Sequence, residues 1–258
     1  MRSTACVLAA LCLVAAPVAA QTAADHVQMG KGVEDLDPRT GLMHFREALA
    51  LDSLDYEALW RASDALVDVG KQTPDTAASP ARDSMYAEAE VLARRAVAAD
   101  SMGAEGHFAL AQAIGRASLT KSKKERVKRA KEIRDEALRA IALDPDHDGA
   151  YHVLGRWNAE IMRLSGLTRF FAKTFLGGAV FNEASWDNAQ KYMEKAVTLN
   201  PGYVYHHLDL AEVLIDREEW PEARAQLELV ESLPATDAMD PTYKSEGTAL
   251  LAKIANKK

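Results

Sequence analysis

Asp144, Asp146 and Asp148 alternate along the chain, and Gly149 follows them. Carboxylates at every second position before a glycine open a calcium loop, where their oxygens converge on one cation. Such a loop also needs a glutamate at its twelfth place. Here that place is Gly155, and Pro145 is out of keeping with the loop's turn. The same residues fit a plainer role. Asp144 ends one helix, Pro145 is the joint, and Asp146 and Asp148 put negative charge at the positive end of the next helix.

The other residues that could do chemistry are scattered. His206 and His207 are neighbours and must point to different faces of a helix, whereas a metal pair usually sits one turn apart. His147 and His152 lack an obvious third ligand. No nucleophile elbow, phosphate-cradling glycine loop or paired-carboxylate signature stands out. The sequence implies no metal, no cofactor and no catalytic residue. It reads as a protein that binds and is not an enzyme.

The elements that would position a binding site are legible as a repeat. "FREALALDS" (45–53), "ARRAVAADS" (93–101), "ALRAIALDP" (137–145) and "MEKAVTLNP" (193–201) share one pattern. Ala48, Ala96, Ala140 and Ala196 hold the fourth place, and each stretch ends in Asp or Asn, then Ser or Pro. A helix ends there and a turn begins. After each joint a large, an apolar and a small residue recur: Tyr151, Leu154 and Gly155; His207, Leu210 and Ala211; Leu59, Ala62 and Ser63; His107, Leu110 and Ala111. That is the first helix of a two-helix repeat, its small residue admitting a neighbouring helix.

The expected fold is all-α, a tetratricopeptide-like solenoid of helical hairpins with about five repeats. A C-terminal helix over 240–254, capped by Asp240 and begun by Pro241, covers the open end. The joints fall at 53, 101, 145 and 201, so the middle units exceed the ~34 residues of a standard repeat. Insertions account for the excess. Residues 70–80 read as a surface loop ending in Ser79-Pro80. The basic stretch at 120–134 reads as an amphipathic extension of a second helix, either a solvated face or a dock for anionic lipid or an acidic partner. Residues 164–186 carry Phe170, Phe171, Phe175 and Phe181 around Gly177-Gly178, and read as an extra packed layer or as a lid over an apolar pocket.

The N-terminus has Arg2, an apolar run from Ala5 to Ala16 and then "PVAAQ". That pattern is a secretory signal peptide, residues 1–20, leaving 21–258 as the repeat domain. Cys6 and Cys12 would leave with it, and loss of Arg2 would take the net charge from −7 to −8. A chain this acidic is a poor general nucleic-acid binder. No later run is apolar enough to span a membrane. The expectation is an exported, periplasmic protein.

The stretch from Tyr151 to Leu214 resembles the tetratricopeptide domain of the regulator of microtubule dynamics proteins and their bacterial relatives. Leu154-Gly155-Arg156-Trp157, Leu164-Ser165, the aromatic insertion, Ala189, Tyr192, Ala196 and Pro201 carry the likeness. The resemblance implies an all-helical domain. Animal members of the family are associated with microtubules, and one with organelle contact sites and lipid binding. An exported bacterial chain meets no microtubules, so the resemblance carries the fold further than the function.

First helices of such stacks line the concave face. By the repeat spacing, the inward positions are Trp60, Asp64, Phe108, Gln112, Arg116, His152, Arg156, Glu160, Tyr205, Leu208 and Glu212. Aromatics with charges of both signs suit a protein or peptide partner, the first function expected. The second is a carrier or sensor of a lipid or other amphiphile, with Arg116 and Arg156 on its anionic head and the 164–186 segment as the wall. Alternatively, Arg156 only pairs with Glu160 one turn on.

Overall fold

The computed structural model describes residues 21–74, 76–166, 168 and 181–258. The proposed signal peptide, and Phe170, Phe171 and Phe175, lie outside them. The described residues form eleven α-helices and a 3-10 turn at Ser118–Thr120, with no strand among them. In chain order they are α1 (Ala23–Lys31), α2 (Pro38–Leu51), α3 (Tyr56–Lys71), α4 (Pro80–Ala99), α5 (Ala104–Ala117), α6 (Lys123–Leu143), α7 (Asp148–Arg163), α8 (Trp186–Leu199), α9 (Val204–Asp216), α10 (Trp220–Ser232) and α11 (Asp240–Ile254). Consecutive helices pack as five antiparallel hairpins, α1 with α2 through α9 with α10, and α11 lies against α9 and α10. This is the tetratricopeptide-like solenoid.

Four joints share one turn. The N–H of Asp52, Asp100, Asp144 and Asn200 reaches back to the carbonyl of Ala48, Ala96, Ala140 and Ala196, at 2.8 to 3.0 Å. Those four alanines are fully buried, because a second helix crosses there and no larger side chain fits. In three joints the aspartate side chain also accepts the N–H two residues on, from Leu54, Met102 and Asp146. Short side-chain acceptors stabilise turns in this way. Asp144 is therefore a turn-former, and Asp148 accepts from Asn200 at 2.9 Å.

Small residues let the hairpins close. A Cβ on Gly155 would lie 2.7 Å from Met193 Cγ, and one on Gly30 or Gly70 would overlap the ring of Phe45 or Tyr86. Helix α6 absorbs the basic stretch, with Ser122 and Glu125 forming its capping box. Its Val127, Ala130 and Ile133 pack on Trp157 and Phe181. Trp157 Nε1 donates to the Ala130 carbonyl at 2.7 Å, and the Trp157 and Phe181 rings meet edge-on at 6.5 Å. Phe181 is thus core packing between α6 and α7.

One local expectation shifts by one residue, and another holds. Asp240 is the first residue of α11, not its cap, and its carboxylate accepts the Thr236 and Asp237 N–H groups at 2.7 and 2.9 Å. His206 and His207 do face opposite ways. His207 bridges Gln226 on α10 and the Pro201 carbonyl, while His206 turns toward α7.

Candidate functional site

Inward side chains of α3, α5, α7, α9 and α11 converge on Tyr205. Arg156 Nη1 donates to its hydroxyl at 2.6 Å, and Arg116 Nη2 lies 3.5 Å from it. Lys71 Nζ stands 5.7 Å from its ring centre, and Tyr243 stacks flat on it at 4.3 Å. The helical period explains the convergence. Tyr205, Asp209 and Glu212 share one stripe of α9, and Asp64, Asp68 and Lys71 share one stripe of α3.

Asp209 anchors the centre. Its side chain is 4% exposed and accepts Arg156 at 2.9 and 3.2 Å. Its other neighbour is His152 Nε2, at 2.9 Å. Burial alone would raise the Asp209 carboxyl, but the Arg156 guanidinium and His152 hold it below the usual range. Burial pushes His152 down to about 4, against the pull of Asp209. His152 Nδ1 lies 2.7 Å from His206 Nδ1, whose far nitrogen is 3.0 Å from Asp148. Arg156 spans two repeats, and Glu160, at 3.9 Å, is a minor partner. Glu160 pairs more closely with Arg163, which also gathers Glu212 and Asp216.

The remaining inward positions separate. Gln112 donates to Asp64 at 3.2 Å across α5 and α3. Burial pushes the Asp64 carboxyl well up, and Asp68 adds to it. Trp60 is half-buried under the Arg61 guanidinium, 4.1 Å from its ring. Phe108 packs on His147 at 4.6 Å in the α6–α7 joint. Leu208 does not line the concave face; it is 1% exposed and belongs to the core between α8, α9 and α10. An open cleft of about 360 Å³ lies elsewhere, lined by Leu54, Arg95, Ala98 and Ala99.

Asp209, Lys71 and Tyr243 are the central residues that the repeat spacing missed. Asp209 was within reach of it, since it follows Tyr205 by one turn. Lys71 follows Asp64 by two turns, and Tyr243 sits on the capping helix.

The family model described as Regulator of microtubule dynamics protein 1-3 matches residues 23–255, from the first residue of α1 to the residue after α11. The chain belongs to this family. No curated protein matches it in sequence. In three dimensions this member of the regulator of microtubule dynamics family is similar to TTC0263, a thermophilic TPR protein of Thermus thermophilus. The two share 16% identity and a TM-score of 0.60, covering 88% of this chain and 100% of that one. PilF of Pseudomonas aeruginosa is similar at 16% identity and a TM-score of 0.51, over 92% and 93% of the two chains. A monomeric mutant of IFIT1 matches at 13% identity and a TM-score of 0.54, over 92% of this chain and 56% of that one. These likenesses show the repeat fold of the family member. Among its described residues no helix is long and apolar enough to cross a membrane.

Proposed function

We propose that the protein is an exported, non-enzymatic scaffold that holds a segment of a protein partner against its concave face. The carrying observation is the polar, aromatic-floored surface around Tyr205, where α3, α5, α7, α9 and α11 present cations, carboxylates and rings together. Mixed charge beside aromatic faces recognises peptide segments through side-chain pairs and stacking. Arg156 supports this role. Its side chain remains 37% exposed although Asp209 and Tyr205 fix its position, so it is pre-aimed and still in contact with water. Phe181 offers little to a lipid reading, because its ring is spent on Trp157.

Photo-crosslinking tests the proposal. A crosslinking residue at Glu160, which is exposed beside Arg156, is expected to capture a protein partner in the producing cell. The same residue at Leu138, exposed on α6, should not. Capture from Leu138 alone would move the site to the outer face. A stoichiometric lipid in native mass spectrometry of the purified protein would replace the scaffold with a carrier.

A further inference from the structure

A stack of hairpins normally touches only its nearest neighbours, so its two ends stay apart. Here the ends meet. The Ala238 N–H, between α10 and α11, donates to the Asp35 carbonyl, between α1 and α2, at 2.8 Å. Lys71, at the end of α3, is almost buried at 8% exposure. It pairs with Asp68 at 2.8 Å and reaches the Tyr205 ring. No broad helix-to-helix packing joins α9 or α11 to α1, α2 or α3. The contact is therefore a short polar seam across the middle of the concave face, not a shared core.

We infer that this seam is a latch that closes the stack into a ring and that opens, with rising pH, to admit a partner to the concave face. The admission step rests on the concave-face reading above; the latch does not.

Its composition explains both properties. A seam with few apolar contacts opens at low free-energy cost compared with unfolding a hairpin. Its charges are crowded. The first end brings Lys31, Glu34 and Asp35, and α3 brings Arg61, Asp64, Asp68 and Lys71. The last end brings Asp237 and Asp240, with Tyr203 and Tyr243 beside them and Arg116 reaching in from α5. Lys71 is the cation between the two acidic sides. Burial would lower its proton affinity, but the Asp68 carboxylate raises it, so it stays charged. Burial also pushes the Asp237 carboxyl up to about 6, with Asp68 of α3 adding to it. Burial raises Glu34 to about 7 despite its ion pair with Arg61, and Asp35 and Asp68 add to that.

The Asp237 carboxyl holds a proton more firmly with Asp68 of α3 across the seam than with the ends apart; the groups that act on Glu34 all lie within α1 to α3, so its shift does not report the seam. The contribution of Asp237 is complete below the ordinary carboxyl range, near about 4, and is lost as pH rises through about 6. Above that window Asp237 faces Asp68 across the seam as a like charge, and the seam loosens.

Hydrogen exchange of the intact protein at pH 5 and pH 8, corrected for intrinsic exchange, reads this directly. Residues 32–37 and 235–243 are expected to lose protection together at pH 8, by about ten-fold or more, while α7 and α8 keep theirs. Asp237→Asn retains its hydrogen-bond acceptor but carries no charge, and should keep the seam protected at pH 8. Equal protection at both pH values, equal loss in the variant, or loss spread over every helix would overturn the latch. A second arm joins Asp35→Cys to Ala238→Cys by a disulfide. The locked ring should lose the crosslink from Glu160, and reduction should restore it. A locked ring that still crosslinks overturns the admission step alone. If neither form crosslinks, the concave-face reading itself fails and the admission step falls with it, whereas the exchange arm judges the latch independently.

Discussion

Replacing Asp209 with alanine is expected to lower the free energy of unfolding by about 3 kcal/mol, the low end of the 3–5 kcal/mol for breaking a buried ion pair. The carboxylate is 4% exposed and serves Arg156 and His152 at once. Its removal strands a guanidinium and an imidazole nitrogen against each other. Arg156 keeps some access to water, which is why the low end applies. Denaturant unfolding measures the loss. Adding Arg156→Met to the variant should recover part of it, because an apolar side chain has no charge to leave unpaired. Glu160→Ala, one turn away but more than half exposed, should stay within about 0.5 kcal/mol. The sign with pH is fixed by Asp209, whose carboxyl is depressed in the fold. Its contribution is present above the ordinary carboxyl range and lost as pH falls below it, so the two proteins should converge in acid. A difference that persists unchanged at low pH would mean that packing, not charge, sets the cost.

The joints were legible because they are local. Ala48, Ala96, Ala140 and Ala196, each followed by an Asp or Asn that turns the chain, repeat within nine residues, and the backbone bonds that result lie inside the same stretch. The small places at Gly155, Ala111 and Ala211 followed from the same register. The concave residues were legible as a stripe but not as contacts. Asp209 lies on the same stripe as Tyr205 and Glu212, one turn after Tyr205, whereas Leu208, three residues after it, falls into the core between α8, α9 and α10. Arg156 looked equally ready for Glu160, because a pair one turn apart is always available on a helix. The structure favours Asp209 because the buried carboxylate gains more from a cation than an exposed one does. The contact between Asp35 and Ala238 had no local signal at all. Curvature is the sum of small rotations between successive hairpins, and an error of a few degrees in each would leave the ends apart.

Phe45→Ala should be the most costly single change in the first hairpin, about 3–5 kcal/mol. The ring is fully buried in the core between α2 and α3, and it presses on the one place in α1, Gly30, where any Cβ would overlap it. The hairpin cannot collapse into the space without dragging α1 toward α2, so most of the cavity should remain. Gly30→Ala tests the same fit from the other side, and overpacking should cost about 1–3 kcal/mol. Met43→Ala, on the exposed face of α2, should be near neutral. Denaturant unfolding ranks the three. Hydrogen exchange then separates a simple stack from a latched ring. In a simple stack a weakened first hairpin frays alone, because its neighbours are only the helices of the next hairpin, α3 and α4. In a latched ring the loop that carries Asp35 moves with that hairpin. Residues 235–243, at the far end of the chain, should then lose protection in Phe45→Ala although no side chain near them has changed.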